Sequence, residues 1–239
     1  MTQTIRNSTV LITGATGGIA TALIAALLAR GAAKVYAAAR DVSGITGTDK
    51  VLPLKMDVTS DGDVNKAAAT AGDVTLLINN AGVNHNTAFL VAPDLGLARE
   101  EMECNYLAPL RVTRAFAPIL IANGGSVLNM LTILARVNLP FMGSYCASKA
   151  AALSLTQGLR AELGPRGVRV VAALPGAVET RMTAGLGIPK MTTADAATEI
   201  LDGFEAGEEE IYVGDMARGL AEGLAKDPKG VERQLANPG

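Results

Sequence analysis

Residues Ser8–Ala20 read STVLITGATGGIA, and this stretch decides the architecture. Its first six residues, Ser8–Thr13, form a short apolar, β-branched run of strand length. Glycines at 14, 17 and 18 interrupt the run, and an apolar helical pattern then continues from Gly18 to Arg30, where Gly31 stops it. A strand, a glycine turn and a helix in that order open a βαβ unit. The turn also has a chemical consequence. A helix N-terminus offers unpaired N–H groups and the positive end of the helix dipole, and glycines let an anionic group approach the backbone closely. Gly14, Thr16, Gly17, Gly18 and Ile19 are therefore expected to cradle the phosphates of a cofactor.

The same alternation continues along the chain. Strand patterns fall at Lys34–Ala39, Val51–Met56 (weakened by Pro53), Val74–Asn79, Ser126–Leu131, Val168–Leu174 and Glu210–Val213. Helical patterns fall at Asp61–Ala71, Leu95–Ala122, Gly143–Leu163 and Thr193–Glu205, and a tail from Met216 begins helical and loses its pattern. Strands that are apolar on both faces and separated by helices pair in parallel, with right-handed crossovers and helices covering both sides of the sheet. The expectation is an α/β chain forming one doubly wound domain over 1–239, with about seven strands.

Composition narrows the function. Of 239 residues, 49% are hydrophobic and 18% charged, so a disordered chain is excluded. Lys and Arg total 21 against 23 Asp and Glu, a net charge of −2 without a basic stripe, so nucleic acid is not an expected partner. One His and two Cys are too few for an ordinary zinc centre or a disulfide framework, and no metal site is expected. Met1–Asn7 is polar and lacks the apolar core of a secretory leader, and no apolar run approaches the roughly 20 residues of a membrane span. A cytoplasmic, membrane-free protein is the expectation.

Four further motifs carry chemistry. Lys34-Val35-Tyr36-Ala37-Ala38-Ala39-Arg40 ends the second strand with a cation and no carboxylate at its tip. Asn79-Asn80-Ala81-Gly82 ends the fourth strand, where Gly82 permits a positive φ. Tyr145-Cys146-Ala147-Ser148-Lys149 places a phenol and an ammonium four residues apart on one helix face. A phenol titrates near 10, and an adjacent ammonium favours its ionised form, so Tyr145 could exchange a proton near neutral pH. Pro175-Gly176 follows the sixth strand at the edge where such sheets bind ligands.

Taken in order, these motifs resemble the short-chain dehydrogenase/reductase family from about Ser8 to Val213. The glycine turn is similar to the family's TGxxxGxG, with Ala20 in place of its last glycine. The resemblance implies a Rossmann-type fold binding a nicotinamide cofactor and transferring hydride to or from a carbonyl. It makes Tyr145 the proton donor and acceptor, and gives Lys149 the nicotinamide-ribose hydroxyls. It assigns the substrate-polarising hydroxyl, usually a serine, to Thr132, and the proton relay to Asn105. Asp57 and Val58 would face the adenine, Asn80, Ala81 and Gly82 the adenosine ribose, and Pro175, Gly176, Val178 and Thr180 the nicotinamide. The acidic position that reads the ribose of NAD falls on Ala39, and Arg40 follows it, so NADP(H) is favoured over NAD(H). Leu134, Leu139, Leu186 and Ile188, with Phe141 and Met191, would make an apolar pocket beneath a mobile lid at 181–193.

The expected substrate is a small hydrophobic ketone or secondary alcohol. A 3-oxoacyl thioester reductase, and a catalytically weak chain serving as a cofactor-sensing or structural protein, are the alternatives. A halohydrin dehalogenase is disfavoured by Lys149 and the glycine turn. The family resemblance also implies a homodimer through Leu95–Ala122 and Gly143–Leu163, or a homotetramer. His85 and Cys146 are expected to be structural.

Overall fold

A computed structural model describes residues 4–236. The first three residues of the polar N-terminal stretch and the last three of the tail lie outside them. Seven parallel strands make one sheet: β1 (Thr9–Thr13), β2 (Lys34–Ala39), β3 (Val51–Lys55), β4 (Leu76–Asn79), β5 (Ser126–Met130), β6 (Arg169–Pro175) and β7 (Glu210–Val213), in the order β3-β2-β1-β4-β5-β6-β7. The order reverses between β1 and β4, which opens a crevice at the carboxyl ends of the central strands. Pro53 sits in β3, at the sheet's edge, where its missing N–H breaks no interior ladder.

The two-residue period of the strands sends alternate side chains to opposite faces. On one face, Val10, Ile12, Leu128 and Val171 pack with Leu23 and Leu27 of α1 (Gly18–Ala29) and with Ile200 and Phe204. On the other, Leu11, Leu77, Val127 and Val170 pack with Val64 of α2 (Asp61–Thr70), and with Val112, Phe116 and Leu159. Few aromatics are needed, because small side chains let the layers approach. Ala20 is fully buried between α1 and the sheet, so the extra methyl at the family's third glycine position is accommodated.

Two expectations are corrected. The Leu95–Ala122 stretch is not one helix. It divides into α3 (Gly96–Met102), a π-helical turn at Glu103–Leu107, and α4 (Ala108–Ala122). Proline at 109 has no N–H to offer the Asn105 carbonyl four residues back, and the Ala108 N–H reaches back five residues to Glu103. The chain tail does not lose its helix. After α5 (Gly143–Leu163) and α6 (Thr193–Ala206) come α7 (Asp215–Lys226) and α8 (Pro228–Ala236). Asp227 restarts it, its Oδ1 accepting from the Gly230 N–H at 2.8 Å, with Pro228 at the first helical position.

Candidate active site

The glycine turn and the Asn-Asn-Ala-Gly turn are stitched together. Gly14 has φ +65°, and a Cβ there would come within 2.9 Å of the Ala81 Cα. The Asn80 Nδ2 donates to the Thr13 carbonyl at 2.9 Å, and the N–H groups of Asn80 and Ala81 both donate to Thr13 Oγ1, at 2.9 and 3.0 Å. The N-cap of α1 is Gly17, which has no side-chain cap, so the first-turn amides face the crevice without a side-chain acceptor. Thr180 approaches the same spot: a Cβ at Gly18 would meet its Cγ2 at 3.5 Å. This cradle fits a pyrophosphate.

Arg40 is exposed just beyond β2 and has no hydrogen-bond or ion-pair partner among the described residues. Asp41 is turned away from it, accepting instead from the Ser43 N–H at 2.9 Å. Asp57 caps its own turn, accepting from the Thr59 N–H and hydroxyl at 2.9 and 2.8 Å. Those bonds hold its carboxyl below the ordinary range, with a lesser contribution from Arg40. Val58 is buried behind it.

The four expected catalytic residues converge at the carboxyl ends of β4 to β6, and all are buried. The π-helical turn aims Asn105 inward: its Nδ2 donates to the Val83 carbonyl and to Ser148 Oγ, both at 2.9 Å, and its Oδ1 accepts from the Val83 N–H. Ser148 Oγ donates in turn to the Tyr145 carbonyl at 2.7 Å. Gly82 is needed here for space and not, as expected, for a positive φ, which it does not adopt: a Cβ would lie 2.8 Å from Asn105 Oδ1. Lys149 Nζ donates to the Met130 carbonyl at 3.0 Å and stands 5.9 Å from the centre of the Tyr145 ring. Thr132 Oγ1 donates to the Pro175 carbonyl at 3.2 Å and accepts from the Leu134 N–H at 3.3 Å.

The electrostatics differ from the sequence expectation in one respect. Burial pushes Lys149 down to about 8. Burial also pushes the Tyr145 phenol up, with smaller contributions from Cys146 and Glu101. Desolvation is the largest cause at both groups.

Around Tyr145 lies an apolar cluster in which Met142 and Cys146 are buried and Leu134, Leu139 and Leu186 pack against them. Ile188 is not brought in; it is 44% exposed, and Phe141 is also exposed. Met191 belongs to the core rather than to the pocket. The expected lid is anchored at both ends: Arg181–Thr183 forms a 3-10 turn capped by Thr180, and Met191 bridges Val178. Gly176, whose N–H donates to the Val213 carbonyl, presses on Met216 of α7. The His85 N–H donates to Glu101 Oε1, and its ring is turned toward Glu100. Sequence reading missed Ser148, although its place three residues after Tyr145 signals the same face. It also missed Met216 and Glu101, which only the fold brings near. Among the described residues no cluster could hold a metal, and no helix is long and apolar enough to cross a membrane.

A family model described as short chain dehydrogenase matches residues 8–189. A short-chain dehydrogenase of Penicillium crustosum is 35% identical over 181 residues, 72% of this chain and 66% of that protein, so the chain spans just under two thirds of that relative. A short-chain dehydrogenase from Burkholderia cenocepacia J2315, solved in complex with NADP, superposes with a TM-score of 0.95 at 44% identity, over 99% of this chain and 100% of the other. One from Sphingobium yanoikuyae, in complex with NADPH, gives 0.74 at 28% identity, over 92% and 96%.

Proposed function

The chain belongs to the short-chain dehydrogenase/reductase family of oxidoreductases, and from that premise we propose that it moves hydride between NADP(H) and a hydrophobic ketone or secondary alcohol. The observation that carries the proposal is the convergence of Tyr145, Lys149, Thr132 and Asn105 beside a glycine cradle. Bound in that cradle, the cofactor supplies or takes the hydride. Everything else falls to the chain.

The N-terminus of α1 and the Asn80–Gly82 turn would hold the cofactor's phosphates and adenosine ribose. Arg40 would pair with the 2′-phosphate, for which its unpartnered guanidinium is suited. Pro175, Gly176, Val178 and Thr180 would fix the nicotinamide. Thr132 would donate to the substrate oxygen, and Tyr145 would protonate that oxygen in reduction or deprotonate it in oxidation. Lys149 would hold the ribose hydroxyls and connect Tyr145 to the proton relay at Asn105. Apolar Leu134, Leu139, Met142 and Leu186 favour a substrate without charge at this end of the pocket. Relatives solved with NADP and NADPH support a nicotinamide cofactor in that cradle.

Fluorescence titration tests the cofactor without a known substrate. NADPH should bind more tightly than NADH, and Arg40→Ala should weaken NADPH by about tenfold or more while sparing NADH, as loss of a charge-assisted pair requires. Equal losses would sink the role of Arg40. With NADPH and an aryl alkyl ketone, Tyr145→Phe should lower kcat by roughly 10²- to 10⁴-fold with NADPH binding unchanged. Turnover retained in that variant would remove Tyr145 from the chemistry.

A further inference from the structure

The segment that follows β4 runs beside the site and is fixed at successive residues. At Gly82 a Cβ would lie 3.5 Å from Lys149 Nζ. Val83 is held through both main-chain groups by the Asn105 amide, its N–H donating to Oδ1 and its carbonyl accepting from Nδ2, both at 2.9 Å. The His85 N–H donates to Glu101 Oε1 at 2.8 Å. Asn84 lies between these anchors and is half-buried. Its Nδ2 stands 3.5 Å from the sulfur of Met142, and Met142 packs in the apolar cluster around Tyr145.

The orientation of the Asn84 amide is fixed by chemistry. The Asn86 N–H can only donate, and it lies 2.8 Å from one end of that amide, so that end is Oδ1. Asn86 has φ 50°, in the left-handed region that Asn enters more readily than most residues, and its own Oδ1 accepts from Asn84 Nδ2 at 3.0 Å. An aspartate at 84 would close the same turn through the Asn86 N–H. The turn therefore does not require Nδ2, which carries two hydrogens. One goes to Asn86. Among the described residues the other meets the Met142 sulfur, a weak acceptor.

Resting on the oxidoreductase reading above, we propose that Asn84 is a specificity-determining residue: its Nδ2 donates to an uncharged acceptor oxygen on the substrate arm that packs against Met142. The substrate class is then narrower than a plain hydrophobic ketone. One arm is apolar and suits Leu134, Leu139 and Leu186; the other carries an ester, amide or ether oxygen. A carboxylate on that arm is disfavoured, because the Asn86 Oδ1 stands beside the same amide and the cluster contains no cation. The contact costs little ordering, since the neighbouring main chain and Asn86 already hold the donor in place. A plain alkyl ketone would leave that N–H against sulfur, and a site built around a donor discriminates against the analogue that lacks the acceptor.

Asn84→Asp keeps an acceptor for the Asn86 N–H and removes the donor. Ethyl acetoacetate and 2-heptanone are matched in chain length, and only the first carries ester oxygens. In NADPH-dependent reduction, the ratio of kcat/KM for ethyl acetoacetate to that for 2-heptanone should fall by about fivefold or more in Asn84→Asp, as loss of one hydrogen bond requires. The intrinsic reactivities of the two ketones cancel when the proteins are compared. Met142→Leu removes the competing sulfur at similar volume and should keep or raise the ratio. A fall equal to that of Asn84→Asp would assign the preference to Met142 and overturn the proposal. If Asn84→Asp does not fold, Asn84→Ser retains an acceptor for Asn86 and withdraws the donor from Met142, and it must show the same fall. The comparison is also made without turnover, from calorimetric dissociation constants of ethyl 3-hydroxybutyrate and 2-heptanol in the NADPH complex, where alcohol and reduced cofactor cannot react. An unchanged ratio, or binding of neither alcohol, overturns the role of Asn84. A ratio of the alcohols that depends on Asn84, in a protein that reduces neither ketone, defeats the oxidoreductase reading and leaves the Asn84 contact standing.

Discussion

Lys149 shows how one residue can serve the site and weaken the fold. Its ammonium is buried and held down to about 8, against 10.5 for an ordinary lysine. Below about pH 8 both folded and unfolded states keep the proton, and the whole cost of burying the cation is present. As pH rises past 8 the folded state releases the proton first, the unfolded state binds more protons, and stability increases. Above about 10 the trend reverses, because the unfolded chain ionises Tyr145 before the folded one does. Lys149→Met should therefore raise thermal stability at neutral pH, by roughly 1–3 kcal/mol after discounting the lost bond to Met130. That advantage should shrink between about pH 8 and pH 10, while reduction of ketones is lost. Thermal unfolding of both proteins across that range is the check, and a constant gap would contradict it. The sequence located this pair through the YxxxK spacing, but not its electrostatics. Spacing fixes which face two side chains share; it says nothing of the depth at which that face is buried.

Secondary-structure elements were legible where one local pattern decided them. Ser8–Thr13 and the glycine turn gave β1 and the start of α1, because glycine at φ > 0 and an apolar run leave few other choices. The Glu103–Leu107 turn was not legible, since its apolar periodicity continues on both sides and only the absent amide of Pro109 marks the break. The tail misled for the opposite reason: a weak pattern hid a strong cap. Asp227→Ala removes that cap and should cost α8 about 1 kcal/mol. Hydrogen exchange should then show roughly fivefold faster opening of Pro228–Ala236, with NADPH affinity unchanged. Exchange unaltered in α8 would mean that packing, for instance of buried Val231, holds the helix without help from Asp227.

At the scale of the molecule, one surface has no role in the site. A groove of about 480 Å³ runs between α4 and α5, with Ala117, Pro118, Ile121, Leu159 and Leu163 on its floor and Arg114, Glu162 and Arg166 around it. These are the helices through which the family resemblance implied a homodimer, and the proposal of a homodimer rests on this face. Charges of both signs border the apolar floor, so a two-fold copy can set Glu162 against an arginine of its partner while the apolar residues meet. Such an interface would also brace α5, which carries Tyr145 and Lys149 at one end and Leu159 and Leu163 at the other. Ile121→Glu places a carboxylate on the groove floor at small cost to the monomer, because Ile121 is only partly buried there. Sedimentation should show the wild type as a dimer at micromolar concentration and Ile121→Glu shifted to monomer. If bracing is real, kcat should fall in the monomer while NADPH binding is unchanged. A wild type that sediments as a monomer at every concentration would remove this face from the assembly.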